Sequence, residues 1–411
     1  MSDREQLLEA FARGALVRPS TAQMGFVDVV RAAFFASGLD VPMSVHSREL
    51  QHYFTGAEHI VFLLADGLGI DFIERMPRES WLRRHTRRAI HASYPSTTTS
   101  AVTSFATADY PATHGVTGWW VRLDELQSAA TVFAHDRAVD GRALDRLGLG
   151  VDDILKSRPL LPAMTASAAV VVPEGIVDSP YTRHIAGSAQ RIGYRNYEDA
   201  TAEIVRRIRE STGPTFTYWY TPSPDAEAHE EGIDSDRIFR TLENLDRAAA
   251  GMCDELLTTD KEWRLVGTAD HGHLMLEPRL ELEANDPLLQ HVDAPPSGDM
   301  RIQFWHTRSG SAPTFEAVFR QRFGAWFYLL TVDEFEQLEL LGPEPWSELT
   351  RRRSGTHVSI SKGRGSLRYA GYPGRGGYRR MRSGHSGLTP AEMLVPLIIA
   401  GEDAGPHDYG R

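Results

Sequence analysis

The sequence predicts an α/β protein with a mostly parallel central sheet, helices on its flanks and an inserted smaller lobe. Short apolar runs bounded by turn residues recur along the 411-residue chain, and longer amphipathic stretches separate them. This alternation is typical of buried parallel strands that are connected by helices on both faces of the sheet. A long polar stretch, rich in Gly and Pro, precedes the last apolar run and indicates the insertion.

The predicted strands are the five most apolar runs, 59–65, 167–173, 215–221, 264–269 and 393–401. The predicted helices include the amphipathic stretches 198–211 and 234–258. No internal repeat is found. We expect four segments along the chain, namely a peripheral helical extension (1–56), the first part of the α/β core (57–273), the inserted lobe (274–380) and the return of the core with the final strand (381–411).

Composition limits the classes of partner. The net charge of −11 disfavours a general nucleic-acid-coating or membrane-adsorbing surface. A single cysteine, Cys253, excludes an internal disulfide framework and a Cys-rich zinc site, and suits a reducing compartment. The N-terminus has no apolar signal core, and no run reaches 18 uninterrupted apolar residues. We therefore expect a soluble, cytoplasmic protein with no membrane partner.

One basic segment departs from the acidic average. Residues 351–382 contain ten Lys and Arg and no acidic residue. Two interpretations remain open, a solvated flexible loop or a rim that attracts phosphate. The same segment supports an alternative of another class, a nucleic-acid-binding protein.

Residues of the types that bind metals follow three of the predicted strands. Asp66 follows the first, Asp225 and His229 follow 215–221, and the pair Asp270 and His271 follows 264–269. Ligands of doubly wound sheets collect beyond the carboxyl ends of the strands. Each residue also has a simpler interpretation, Asp66 as a helix cap and the pair Asp225 and His229 as a solvated helix start.

A further histidine, His385, stands in "SGHSG" before the last predicted strand, where it is either a ligand or an ordinary loop histidine. With it the set contains three Asp, three His and no thiolate. These donors suit Zn²⁺, with Mn²⁺ or Fe as alternatives, and they exceed the needs of one ion. Two divalent ions are therefore predicted, and such a pair can stabilise the attacking and leaving oxygens of a displacement at phosphorus.

The stretch 94–105, "YPSTTTSAVTSF", is rich in hydroxyl side chains and has no charge. It would place a threonine at a helix N-terminus, where free N–H groups favour a phosphate. A hydroxyl is a weak nucleophile unless a base or a metal removes its proton. The alternative is a hydroxyl-rich helix cap packed with small residues.

Five blocks in this order, "ADG", "YPSTTTSAVTSFATADYPATHGV", "PDAEAHEEG", "ADHG" and "SGHSGLTPAEMLVPLI", resemble the alkaline phosphatase superfamily, and most closely its type I phosphodiesterase/nucleotide pyrophosphatase branch. The resemblance covers roughly 59–120, 215–235, 264–273 and 384–401, and it implies an alkaline phosphatase-like core. It also implies that Thr98 is the nucleophile and passes through a covalent phosphoryl- or nucleotidyl-threonine that water hydrolyses. One metal would be held by Asp225, His229 and His385, and the other by Asp66, Asp270, His271 and the Thr98 oxygen.

The sequence departs from the family where an Asn after His-Gly helps to hold a phosphate oxygen. Trp119 stands at that place, and its single N–H donor cannot reproduce the contact of an amide. We expect the contact to come from the backbone N–H of Thr98 or Thr99, or from a basic residue of the insert. Trp119 and Trp120 either stack on a base or another flat leaving group, or brace the site as a buried pair.

These observations predict a two-metal hydrolase that cleaves phosphodiester or pyrophosphate bonds of a small phosphorylated substrate, with a nucleotide as one candidate. A phosphomonoesterase, phosphonate hydrolase or phosphotransferase with the same metal site is the main alternative. The oligomeric state and the role of residues 1–56 are not predicted.

Overall fold

The computed structural model describes residues 1–372 and 380–401. Its strands are β1 (His59–Ala65), β2 (Thr86–His91), β3 (Trp120–Leu123), β4 (Ser128–Thr131), β5 (Asp136–Arg137), β6 (Arg142–Ala143), β7 (Ser167–Pro173), β8 (Gln190–Tyr194), β9 (Thr215–Thr221), β10 (Trp263–Thr268), β11 (Leu274–Met275), β12 (Arg279–Leu282), β13 (Ser297–Asp299), β14 (Ile302–Trp305), β15 (Phe327–Thr331), β16 (His357–Ser361), β17 (Ser366–Tyr369), β18 (Ser383–Gly384) and β19 (Leu394–Ala400).

The α-helices of the described residues alternate with these strands. They are α1 (Asp3–Ala12), α2 (Phe26–Ala36), α3 (Val45–Glu49), α4 (Ile70–Arg75), α5 (Trp81–His85), α6 (Thr98–Thr107), α7 (Pro111–His114), α8 (Val151–Ile154), α9 (Pro180–Ala186), α10 (Tyr197–Glu210), α11 (Asp225–Glu231), α12 (Asp236–Leu257), α13 (Ala312–Phe323), α14 (Val332–Gln337), α15 (Glu348–Ser354) and α16 (Pro390–Met393). None of the helices in this part of the chain is long and apolar enough to cross a membrane.

The central sheet has seven strands in the order β2-β19-β10-β1-β9-β7-β8. Strands β10, β1, β9, β7 and β8 run parallel, whereas β19 is antiparallel to both β10 and β2. Every residue of β1 is buried, as expected for a strand covered on both faces. The predicted fold class, a mostly parallel sheet flanked by helices, is confirmed, and each of the five apolar runs is a strand of this sheet.

The two amphipathic stretches are helices α10 and α12, and both begin at a side-chain cap. Asn196 Oδ1 accepts from Asp199 N at 2.7 Å, and Ser235 Oγ accepts from Ile238 N at 3.3 Å. Such caps satisfy N–H groups that a helix start leaves free. The apolar residues of α12 recur every three or four positions and lie buried along one face, at Ile238, Leu242, Leu245, Ala249, Met252 and Leu256.

A second, antiparallel sheet forms the smaller lobe, with the order β15-β16-β14-β13-β3-β4-β5-β6. Its strands come both from 120–143, inside the predicted core segment, and from 297–361, inside the predicted insert. The two halves join where Gly298 of β13 pairs with Trp120 of β3. A Cβ on Gly118 would lie 2.3 Å from the Gly298 backbone, so this close approach requires glycine. The predicted segment boundaries at 57, 274 and 381 stay predictions.

The N-terminal extension is helical as expected, but it is not entirely peripheral. Phe34 of α2 is fully buried, and its ring meets those of Phe105 and Phe216 at 5.3 and 5.6 Å between centroids. Since Phe105 belongs to α6, the extension supports the helix that begins at Thr98. The sequence signal is the high apolar content of 26–36, since every residue from Phe26 to Phe34 is buried.

The basic segment is not a flexible loop in its described part, because residues 351–372 include the end of α15 and strands β16 and β17. The Arg353 guanidinium is buried and donates to the carbonyls of Gly115 and Ile154. Arg351 pairs with Asp333 at 3.1 Å, and Lys362 Nζ donates to a backbone carbonyl. Much of this positive charge therefore serves the fold, which weakens the nucleic-acid-binding alternative. Residues 373–379 lie outside the described part of the chain.

Candidate active site

The six predicted ligands and Thr98 meet beyond the carboxyl ends of the parallel strands. Asp66 follows β1, Asp225 and His229 lie on α11 just after β9, and Asp270 with His271 follows β10. His385 lies between β18 and α16, and Thr98 is the first residue of α6. Because parallel strands all point to one edge, residues far apart in sequence are brought together there.

The first cluster, which we call site 1, consists of Asp225, His229 and His385. Asp225 Oδ1 lies 3.2 Å from His229 Nε2 and 3.6 Å from His385 Nε2, and the two imidazole nitrogens are 3.2 Å apart. Ligand atoms around a tetrahedral Zn²⁺ with bonds of roughly 2.0–2.1 Å are about 3.3 Å apart. The triangle of donor atoms therefore has the size that one such ion requires.

The second cluster, site 2, consists of Asp66, Asp270, His271 and Thr98. His271 Nε2 lies 3.5 Å from Asp66 Oδ1 and 3.3 Å from Asp270 Oδ2. Thr98 Oγ1 is 3.2 Å from the same imidazole nitrogen and 3.4 Å from Asp66 Oδ1. These separations again match the spacing of donors around a tetrahedral ion.

Backbone carbonyls orient the three predicted ligand histidines. Nδ1 of His229, His271 and His385 lies 2.9, 3.1 and 2.9 Å from the carbonyl oxygens of Ser383, Gly272 and Ser96, respectively. A carbonyl only accepts, so each neutral ring carries its proton on Nδ1 and presents an unprotonated Nε2 to the site. This is the tautomer that binds a metal.

The acidic residues of site 2 also fit a cation. Asp270 Oδ1 accepts from Gly67 N and His271 N, whereas the buried Asp270 Oδ2 has no hydrogen-bond partner among the described residues. Burial, together with the negative charges of Asp270 and Asp225, raises the pKa of Asp66 well above its usual range. A bound divalent ion would satisfy the free oxygen and stabilise the ionised carboxylates.

The simpler interpretations of Asp66 and of the pair Asp225 and His229 do not hold. Helix α4 begins at Ile70 with Gly69 as its N-cap, so Asp66 is not a helix cap. The side chains of Asp225 and His229 are only 16% and 13% exposed, which is inconsistent with a solvated helix start. His385 is buried.

Comparison with known proteins identifies the family of the chain. Residues 60–304, more than half of the chain, match the type I phosphodiesterase/nucleotide pyrophosphatase family. The chain belongs to this family. Its members are phosphodiesterase and pyrophosphatase enzymes, so the prediction of a metal-dependent hydrolase of this type is confirmed. A search of curated proteins found no match.

Solved structures of the family share the fold at low sequence identity. Murine ectonucleotide pyrophosphatase/phosphodiesterase 5 is 14% identical, with a TM-score of 0.58 over 82% of this chain and 87% of that chain. An inactive form of the murine protein, in complex with AMP, is 13% identical with the same TM-score and coverage. The human protein is 13% identical, with a TM-score of 0.60 over 85% of this chain and 89% of that chain.

Metal stabilisation of this family member should depend on pH. Because the pKa of Asp66 is raised in the folded state, its protonated form stabilises the fold fully below the usual carboxyl pKa of 3.8. This stabilisation is lost as the pH rises through the raised pKa. A bound cation favours the ionised carboxylate and removes this loss. We expect Zn²⁺ to raise the Tm more at about pH 7.5 than at about pH 5. Thermal denaturation with and without Zn²⁺ measures the shift, and an equal shift at both pH values would contradict this expectation.

Thr98 is held by contacts that the sequence did not predict. Thr97, the N-cap of α6, donates from Oγ1 to Asp299 Oδ2 at 2.8 Å. Asp299 Oδ2 also accepts from Trp119 N at 3.4 Å. Asp299 lies on β13 of the smaller lobe, so this carboxylate connects the predicted nucleophile turn to the second sheet. No sequence motif around Asp299 indicated this role.

The two predicted tryptophans have different aromatic neighbours. The Trp119 ring contacts Phe133, which in turn contacts Tyr181, with centroids 5.7 and 4.6 Å apart. Trp120 packs against Tyr372 at 5.4 Å. The bracing interpretation therefore fits Trp120, while substrate contact by Trp119 or Thr99 stays a prediction.

A fully buried ion pair supports the loop that carries His385. Arg301 Nε lies 2.6 Å from Glu392 Oε1, and neither side chain is exposed. The same oxygen accepts from Gly387 N at 2.7 Å, and Ser386 Oγ accepts from Arg301 N. Ser386 has a φ of +89°, a conformation that non-glycine residues rarely adopt. The ion pair therefore fixes an unusual backbone next to a site 1 residue.

His273, the last residue of "ADHGH", was not among the predicted site residues. The residue is buried and groups with Asp225, His271 and His385 as a candidate metal ligand. Burial lowers the pKa of His273 to about 4, so its ring is neutral near pH 7. A second histidine two positions after His271 was the available signal.

Proposed function

We propose that this family member hydrolyses phosphodiester or pyrophosphate bonds with two divalent metal ions and Thr98 as the nucleophile. The observation that carries the proposal is the position of Thr98 Oγ1, which lies within 3.4 Å of both an Asp66 oxygen and His271 Nε2. Asp225, His229 and His385 would hold one ion, and Asp66, Asp270, His271 and Thr98 the other. We propose Zn²⁺, and Mn²⁺ or Fe would suit the same donors.

When bound, the ions would supply Lewis acidity, which lowers the pKa of a hydroxyl or water and offsets charge on the phosphoryl oxygens. The chain itself would orient the reacting groups. Tyr220 Oη donates to Asp66 Oδ2 at 2.6 Å, and this bond fixes the carboxylate that faces the Thr98 hydroxyl. The N-terminus of α6 would stabilise the negative phosphoryl group with its N–H groups.

The reaction would proceed in two displacements. In the first, Thr98 Oγ forms a bond to phosphorus, the bond from phosphorus to the leaving oxygen breaks, and the leaving group takes up a proton. In the second, water attacks the phosphoryl- or nucleotidyl-threonine, which restores the Thr98 hydroxyl and releases the phosphate product.

An apolar cavity of about 240 Å³ shares lining residues with the elements that carry the candidate site, and we propose that it receives the organic part of the substrate. Val102, one helical turn after Thr98, lines it, as does Tyr220, which binds Asp66. The remaining walls include Phe133, Tyr181 and Tyr218, and no charged side chain is among the described lining residues. Aromatic walls can stack on a nucleobase or another flat group. We therefore propose a nucleotide or aryl phosphodiester, and the AMP complex of the murine relative supports this choice.

The proposal is tested by a rate panel with Zn²⁺ or Mn²⁺. The substrates are bis-p-nitrophenyl phosphate, a dinucleotide, p-nitrophenyl phosphate and a phosphonate. We expect both diesters to exceed the monoester in kcat/KM by at least about tenfold, because an uncharged cavity binds an organic group better than a second phosphate charge. A chelator should remove all activity.

Faster turnover of the monoester would favour the phosphomonoesterase or phosphotransferase alternative and overturn the diesterase proposal. Activity that survives complete chelation would overturn the two-metal proposal. Binding of an oligonucleotide without hydrolysis of any substrate would favour the nucleic-acid-binding alternative.

A further inference from the structure

His273 contacts site 1 without belonging to the predicted ligand set. Its Nε2 lies 2.6 Å from Asp225 Oδ1, the same oxygen that faces His229 and His385. We propose that His273 is a positioning residue that donates a hydrogen bond to Asp225 and holds this carboxylate in the geometry for a metal. The inference rests on the proposed two-metal site, but it does not depend on the identity of the substrate.

The distance and the burial of His273 distinguish a hydrogen-bond donor from a metal ligand. Two ligands of one tetrahedral ion are about 3.3 Å apart, whereas 2.6 Å is the length of a short, charge-assisted hydrogen bond. The His273 side chain is 0% exposed, while that of Asp225 is 16% exposed. The His273 ring is therefore more deeply buried than the Asp225 carboxylate that it contacts.

The partner of the second ring nitrogen permits this role. The predicted ligand histidines direct Nδ1 at carbonyl oxygens, which forces the proton onto Nδ1. His273 Nδ1 instead lies 3.2 Å from the hydroxyl of Ser383. This hydroxyl donates to Ala228 O at 2.5 Å. The ionised Asp225 carboxylate only accepts, so the 2.6 Å contact requires a proton on His273 Nε2. A neutral ring can supply this proton when the Ser383 hydroxyl turns from Ala228 O and donates to Nδ1.

The surroundings of His273 hold the ring firmly. A Cβ on Gly67, which has a φ of +74°, would lie 2.9 Å from Asp225 Cβ and 3.0 Å from His273 Cδ2. The His229 ring meets the His273 ring edge-on, with centroids 4.8 Å apart. Groups that hydrogen-bond to a ligating carboxylate orient it and raise metal affinity, and their loss typically costs about 10–100-fold in affinity.

The test measures metal binding rather than turnover. His273→Gln keeps an N–H donor near the Nε2 position, whereas His273→Asn places its amide near Nδ1 and His273→Leu removes the donor. We expect the Asn and Leu variants to bind one of two Zn²⁺ ions about 10–100-fold more weakly, with both ions still bound at saturation. His273→Gln should recover most of this loss. Competition titration with a chelating indicator gives both affinities, and Co²⁺ absorption spectra report the ligand set.

A matched control is His59→Leu, which removes another buried histidine at the opposite end of β1, where His59 contacts Thr215. It should lose stability but bind both ions like the wild type. Wild-type affinity in His273→Asn and His273→Leu would overturn the proposal. So would equal weakening in all three variants with an altered Co²⁺ spectrum, since that result would make His273 a ligand. A wild-type protein that binds two ions but hydrolyses no phosphodiester would refute the proposed function. The metal affinities of the His273 variants would still decide whether His273 positions Asp225.

Discussion

Thr98→Ala should reduce turnover of a phosphodiester by at least about 10³-fold while both metal ions remain bound. The variant lacks the only atom that forms the bond to phosphorus in the proposed mechanism. Carboxylates and imidazoles dominate metal affinity, so the loss of one neutral oxygen changes stoichiometry little. Steady-state rates together with elemental analysis of the purified protein measure both quantities.

Thr107→Ala is the matched control, because it removes a buried hydroxyl from the far end of the same helix. Thr107 Oγ1 donates to Thr103 O at 2.9 Å. Its loss should cost about 1 kcal/mol of stability and leave the rate unchanged. Turnover by Thr98→Ala at the wild-type rate would reject Thr98 as the nucleophile.

Asp270→Asn should leave the protein with one tightly bound ion and very low activity. An amide has no charge and replaces one donor oxygen with an N–H group that repels a cation. The buried Asp270 Oδ2, which has no hydrogen-bond partner in the described part of the chain, is the atom that we expect to bind the ion. Titration with Zn²⁺, followed by elemental analysis, should give two ions for the wild type and one for the variant.

Asp28→Asn serves as the control for a buried aspartate outside the site. Asp28 accepts hydrogen bonds from Gly25 N and from the hydroxyls of Ser44 and Ser47. This variant should bind two ions, although its Tm should fall. Two tightly bound ions in Asp270→Asn would remove Asp270 from the proposed ligand set.

The central sheet could be predicted because its strands carry a strong local signal. Strands such as β1 and β9 are continuous apolar runs, and burial on both faces is the physical cause of that pattern. Most strands of the second sheet give no such signal, although β15 is a buried apolar run. Strands β5 and β6 have two residues each, and β3 pairs with β13 from a distant part of the chain. Their pairing depends on tertiary contacts such as the approach of Gly118 to Gly298.

In the candidate site too, residues with a local sequence signal could be predicted, whereas residues that act through tertiary contacts could not. The ordered blocks and the positions of polar residues at strand ends pointed to the six predicted ligands, and the structure brings all six together with Thr98. Residues that hold these groups were missed, because their role depends on contacts across the fold. Asp299 reaches the nucleophile turn from the smaller lobe, and Arg301 supports the His385 loop through Glu392. A single sequence shows neither contact.

Anomalous scattering from a crystal grown with Zn²⁺ would locate the proposed ions. We expect two peaks roughly 3.5–4 Å apart, one bounded by Asp225, His229 and His385 and the other by Asp66, Asp270 and His271, with Thr98 Oγ1 beside the second. A single peak, or peaks that leave Thr98 outside coordination distance, would contradict this expectation.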